Sequence, residues 1–361
     1  MTDSPEKIPI FDGHNDTLLH IHFLSEEEAQ EWSFFSRNKT GHIDLPRARE
    51  GGLAGGFFAI LAPSARDPGD KLSRSGLVRT DKGYSIPMAP AVSFEDARDF
   101  TLPLISTLHG LARQSDGEVI VARDIDDLRR ALQSNKFSAI LHFEGAEAID
   151  EDLTMLEVYY QAGLRSLGIV WSRPNVFAHG VPFRFPSSPD TGPGLTEAGK
   201  RLVRACNEMG IMLDLAHLNE EGFWDVVDHS DKPLVVTHAC CHQICPSARN
   251  LTDVQIDAIG ASGGVMGINF FIGDVREDGA FERDTKLEQI VRHIDHVVDR
   301  IGVDHVAFGS DFDGARVPLD LDDVSHLQNL IGVLRQAGYD DQALRKIAYE
   351  NWFRVLEGTW N

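Results

Sequence analysis

Six side chains able to hold a cation or move a proton stand at or near the ends of short apolar runs. His14 and Asp16 end Ile8-Pro-Ile-Phe-Asp-Gly-His-Asn-Asp16, Glu144 ends Ser138-Ala-Ile-Leu-His-Phe-Glu144, and His217 ends Leu213-Asp-Leu-Ala-His217. His238 ends Leu234-Val-Val-Thr-His238 and Asp311 ends Phe308-Gly-Ser-Asp311. Imidazole nitrogen and carboxylate oxygen together suit a borderline cation such as zinc, and a catalytic zinc site needs at least three protein ligands and an open position. Alternate side chains of an extended chain share a face, so His14 and Asp16 are expected to point the same way from the first strand.

The elements that must position these groups can be read from periodicity. Eight apolar runs alternate with helical patterns along the chain: Ile8 onward, 55–62, 138–144, 166–171, 211–216, 233–237, 264–269 and 305–310. Continuous apolar strands separated by helices mark a parallel sheet buried on both faces. A closed (β/α)8 TIM-type barrel is the economical arrangement, with one domain spanning 1–361. A doubly wound open sheet is the alternative, but its first turn should carry a glycine-rich phosphate loop that this chain lacks. The polar, Gly-rich and Pro-rich segment at about 63–92 reads as a surface insertion or lid, and helices are expected to close the chain.

In such a barrel the C-terminal strand ends face the active site. Strands one, three, five, six and eight then deliver His14 and Asp16, Glu144, His217, His238 and Asp311 to one rim. Taken singly, a strand-end histidine bonds a carbonyl and a strand-end aspartate caps a helix. Taken together without a cation, these groups would form a cluster of uncompensated buried polar atoms. Two metal ions bridged by Glu144, between the His14/Asp16 pair and the His217/His238 pair, are the expected arrangement.

Composition narrows the partners. The 361 residues are 42% hydrophobic and 25% charged, an ordinary globular balance, and the formal charge of −22 argues against nucleic acid or an anionic membrane. The polar N-terminus shows no signal-peptide pattern, no run reaches membrane-span length, and four cysteines form no spaced disulfide framework. A cytoplasmic protein acting on a small molecule is expected.

The chain also resembles the renal (membrane) dipeptidase family of zinc dipeptidases, a branch of the amidohydrolase-like barrels, which implies a barrel of the metal-dependent hydrolase kind. The resemblance is carried by Asp12-Gly-His14-Asn-Asp16, Phe143-Glu144-Gly, Asp214-Leu-Ala-His217, Thr237-His238, Ser247-Ala-Arg249-Asn250, Gly309-Ser-Asp311-Phe-Asp313-Gly and Glu350-Asn-Trp-Phe-Arg354-Val-Leu. It implies one zinc ion on His14, Asp16 and Glu144, a second on Glu144, His217 and His238, and substrate contact by Arg249 and Asp311. The implied reaction is dipeptide hydrolysis by a hydroxide shared between the two ions, with Asp311 as general base and then acid. Arg249 would clamp the substrate carboxylate through a bidentate pair. Related hydrolysis of N-acyl amino acids, cyclic amides or lactones would need the same metals but not Arg249. A homodimer is the assembly such barrels often adopt.

One position departs from the family pattern. Trp171 stands where those dipeptidases carry a histidine that steadies the tetrahedral intermediate. An indole N–H donates a hydrogen bond but carries no charge, so a neighbouring donor, Arg173, Asn175 or His179, is expected to compensate. Trp171, Asn175 and His179 are accordingly candidate substrate contacts.

Overall fold

The computed structural model describes residues 7–64 and 76–360. Eight parallel strands run in chain order around a nearly closed barrel: β1 Ile10–Asn15, β2 Leu53–Ile60, β3 Phe137–Glu144, β4 Leu164–Gly168, β5 Met212–Asp214, β6 Val235–Ala239, β7 Val265–Ile268 and β8 Val306–Phe308. Residues just beyond β8 close the ring on β1, where Asn15 bridges Phe312 and the Asp311 amide donates to the His14 carbonyl at 3.0 Å. Asp12 strengthens the seam by accepting from the Ser310 amide and hydroxyl, each at 2.7 Å. All eight residues of β3 and all six of β1 are buried, polar ones included, because helices cover the outside of the barrel and side chains fill the inside.

The barrel is apolar below and polar above. Phe11, Phe57, Ile140, Met212, Val235, Val265 and Ala307 pack its lower half, and Trp352 of the C-terminal helix Asn351–Thr359 closes the floor. The Trp352 indole N–H donates to the Phe308 carbonyl at 3.1 Å. A Cβ on Gly13 would lie 2.4 Å from the Trp352 ring, so a glycine in β1 makes the room that this plug needs. Side chains alternate along a strand, so above Ile140 the inward face of β3 carries His142 and then Glu144.

Small elements decorate this frame. Val119–Val121 adds a strand beside β3, and Val78–Thr80, Gly83–Ser85 and Arg184–Phe185 form a separate antiparallel sheet. The segment expected to be an insertion at about 63–92 includes 65–75, which lie outside the described residues; its later part forms two strands of that sheet. Among the described residues no helix is long and apolar enough to cross a membrane.

Candidate metal centre

The first two candidate ligands arise where β1 loses its regularity. The pairing register with β2 shifts between Asp12 and Asn15, an irregularity of the kind that re-aims side chains at a barrel rim. Asp16 follows at the start of helix Thr17–His22 and makes no capping bond, which leaves its carboxylate for other use. His14 Nε2 and Asp16 Oδ2 are 3.8 Å apart.

Glu144, the last residue of β3, joins them. Its Oε1 lies 3.7 Å from His14 Nε2, 2.9 Å from His217 Nε2 and 3.5 Å from His238 Nε2. The His217 and His238 Nε2 atoms face each other at 3.1 Å. Potential ligand atoms of His14, Glu144 and His238 lie within 4.8 Å of one another, and the same holds for His14, Asp16 and Asp311. The structure thus brings all six sequence-predicted groups to one rim, from the five strands expected.

The cluster has the marks of a cation site. His14 is fully buried, yet neither ring nitrogen has a hydrogen-bond partner, and Asp16 Oδ1 is similarly orphaned. Burial alone would keep the His14 ring neutral, but the facing charges of Glu144, Asp16 and Asp311 reverse this and lift its pKa to about 10. Burial pushes Glu144 well above the ordinary carboxylate range, with the Asp16 and Asp311 charges adding to it and His14 opposing. Burial holds His238 well below the ordinary histidine value, reinforced by His14 and Arg249. A cation among these groups would satisfy the orphaned nitrogen and neutralise the crowded carboxylates at once. The nitrogen and oxygen donors present therefore fit zinc.

Backbone strain collects here as well. His217 has φ 66° and Asp311 φ 61°, left-handed values that cost a non-glycine residue roughly 1–3 kcal/mol. Gly314 allows the closest approach: a Cβ there would sit 1.9 Å from Asp16 Oδ2 and 2.5 Å from Asp311 Oδ1.

The cavity above the cluster is lined by Asp16, Glu144, His217, Arg249 and Asp311, with Leu61, Trp171, Phe183, Asn269, Phe271 and Asp274 completing the wall. Arg249 is buried, and its guanidinium donates to the His238 carbonyl at 3.3 Å. Asp311 is partly exposed to the cavity, with Oδ2 accepting from Asn269 Nδ2 at 3.1 Å.

Trp171 lines the cavity, but the three donors expected to compensate for it do not. Arg173 is fully buried and spends its guanidinium on Glu147 at 2.8 Å, the Ser64 hydroxyl at 3.1 Å and the Ala62 carbonyl at 2.6 Å. Asn175 turns inward on its own loop, donating to the Ile169 carbonyl at 2.8 Å and accepting from the Phe177 and Ala178 amides. His179, half-buried, also lies outside the cavity lining. For Arg173 and Asn175, bonds to neighbouring segments and within the loop have claimed the donors that proximity in sequence offered.

Sequence reading assigned no role to His142, Asp214, Thr237 and Ser172, which back the histidines, or to Asn269 in the cavity wall. The signal for His142 was present, since it precedes Glu144 by two residues and so shares its face. The other four act through hydrogen bonds between distant segments, which no spacing reveals.

A scan of known families decides the relationship, because the description "Membrane dipeptidase (Peptidase family M19)" matches residues 3–360. The chain belongs to this family. A crystal structure of a metallopeptidase from Rhodobacter sphaeroides, liganded with a phosphinate mimic of the dipeptide L-Ala-D-Ala, is 46% identical with a TM-score of 0.93, covering 98% of this chain and 100% of that one. The crystal structure of dipeptidase AC, a metallopeptidase of family M19, is also 46% identical, with a TM-score of 0.92 over 98% of this chain and 99% of its own. Dipeptidase tcpJ of Claviceps purpurea is 26% identical over 365 residues, covering 99% of this chain and 80% of that protein. As a family M19 peptidase, the chain is a metallo-dipeptidase on an amidohydrolase-like barrel.

Proposed function

We propose that this M19 dipeptidase hydrolyses dipeptides bearing a free carboxylate, using two zinc ions. His14, Asp16 and Glu144 would hold one ion, and Glu144, His217 and His238 the other. The observation that carries this reading is the position of Glu144 Oε1, within 3.7 Å of three imidazole nitrogens of which one belongs to the otherwise unpartnered His14 ring. The chemistry zinc supplies in such a shell is Lewis-acid polarisation of a carbonyl and acidification of water.

The remaining work falls to the chain's own groups. Asp311, partly exposed to the cavity and anchored by Asn269, is suited to take a proton from the attacking water and pass it to the leaving amine. Arg249 can pair with the terminal carboxylate of the substrate through two parallel N–H groups, which favours a dipeptide over a longer chain. Leu61, Trp171, Phe183 and Phe271 form apolar walls that help to exclude water. A single domain working in the cytoplasm as a homodimer completes the proposal, and the four free, buried cysteines suit a reducing compartment.

Metal analysis of the purified protein, together with a panel of dipeptides and N-acetyl amino acids, tests the reading. Two zinc ions per chain and turnover confined to dipeptides are expected. Preferential turnover of the N-acetyl compounds would move the activity elsewhere on the same scaffold. A protein that binds no metal would remove the mechanism.

A further inference from the structure

Beneath the candidate metal centre lies a buried chain of three side chains, each no more than 1% exposed: Asp214, Thr237 and His238. Asp214 Oδ1 accepts from the Ala216 amide at 2.9 Å and the Thr237 amide at 2.8 Å. Its Oδ2 lies 2.6 Å from the Thr237 hydroxyl, and that hydroxyl lies 2.9 Å from His238 Nδ1. His142 Nε2 also faces Asp214 Oδ2, but at 3.6 Å it is beyond hydrogen-bond distance.

Donor counting then fixes the direction of the chain. Burial raises the Asp214 pKa, opposed by the Thr237 hydroxyl and the Ala216 and Thr237 amides that donate to the charged form. With Asp214 ionised the carboxylate only accepts, so the single hydroxyl hydrogen of Thr237 points to Asp214. The hydroxyl oxygen must then accept from His238, which places the ring proton on Nδ1. His238 Nε2 is left with its lone pair, on the side facing Glu144 and His217. His217 is backed differently, since its Nδ1 lies 2.8 Å from the Ser172 hydroxyl, for which no carboxylate partner is found among the described residues.

We infer that Thr237 and Asp214 are positioning residues that set the His238 tautomer, holding its Nε2 deprotonated and aimed for a metal ion before any ion arrives. This rests on the reading of His238 as a metal ligand. Outer-shell partners of this kind typically contribute 10–100-fold to metal affinity.

The test compares the full-length protein with Thr237→Val, Thr237→Ser and Asp214→Asn, titrated with zinc against a chromophoric chelator. The histidine tautomers of the metal-free proteins are read by long-range 15N–1H correlation. Thr237→Val is expected to weaken one zinc ion by roughly 10–100-fold while Thr237→Ser restores near wild-type binding. Asp214→Asn presents an N–H where the carboxylate accepted, so it should reverse the relay and move the His238 ring proton to Nε2. Thr237→Val binding both ions at wild-type strength would overturn the inference, as would an Nε2-protonated His238 in the wild-type protein. Wild-type protein that binds no zinc would instead overturn the metal reading, and the tautomer spectrum would still report on the relay.

Discussion

Asp311 and Arg249 divide two tasks that the cavity geometry keeps separate, and substitution should separate them too. Asp311→Asn removes the proton acceptor while keeping the shape and the Asn269 contact, so kcat on a dipeptide is expected to fall by roughly 10²–10⁴-fold, the usual worth of general acid–base catalysis. Zinc content, measured on the same sample, should hold. Loss of both ions together with activity would make Asp311 a ligand, a role its place within 4.8 Å of His14 and Asp16 would permit. Arg249→Met removes a charge-assisted carboxylate contact worth about 1.5–3 kcal/mol, which corresponds to a KM raised about 10–100-fold with kcat little changed. A fall in kcat at constant KM would place Arg249 at the reacting carbonyl instead.

At the scale of elements, the barrel strands were legible because burial on both faces writes itself into the sequence as near-continuous apolar runs. All eight barrel strands lie where those runs lie. The small sheet of Val78–Thr80, Gly83–Ser85 and Arg184–Phe185 was not legible: its strands are two or three residues long and half of it is exposed, so no alternation develops. The six rim groups could be found because each ends a run. The Asp214–Thr237 backing and the burial of Arg173 against Glu147 could not, because both depend on which loops meet. Helix Glu288–Ile301 offers a test of such packing. Its His293 accepts the Cys241 amide on Nδ1 at 3.0 Å and donates from Nε2 to the Val275 carbonyl at 2.9 Å, so the ring must be neutral. Burial lowers its pKa from 6.5 to about 4, with the Val275 carbonyl partly opposing. Between those values the unfolded chain binds a proton that the folded ring refuses, so this contribution is complete above pH 6.5 and is lost as pH falls toward 4. The loss amounts to roughly 3 kcal/mol. Denaturant unfolding across that range should show a shallower pH slope for His293→Gln than for wild type, and equal slopes would remove the assignment.

At the scale of the whole molecule, the charge of −22 goes with four carboxylates lining one cavity, Asp16, Glu144, Asp274 and Asp311, against a single arginine or lysine among the described lining residues, Arg249. The folded chain therefore holds like charges together in a place of low dielectric, and whatever cation binds there stabilises the fold as well as enabling the chemistry. Stripping the metal should lower the melting temperature, and adding zinc back should restore it. The dependence on concentration is more telling than the shift itself. Above saturation, each tenfold rise in free zinc adds about 1.4 kcal/mol for every ion bound by the folded state alone. Unfolding free energy measured in zinc buffers should therefore climb by about twice that per decade if Glu144 bridges two ions. A slope near 1.4 kcal/mol would leave a one-metal hydrolase and release either the His14/Asp16 side or the His217/His238 side from its assigned role. A flat line would mean that the orphaned ring of His14 is answered by something other than a metal ion, and the proposed chemistry would have no source for its activated water.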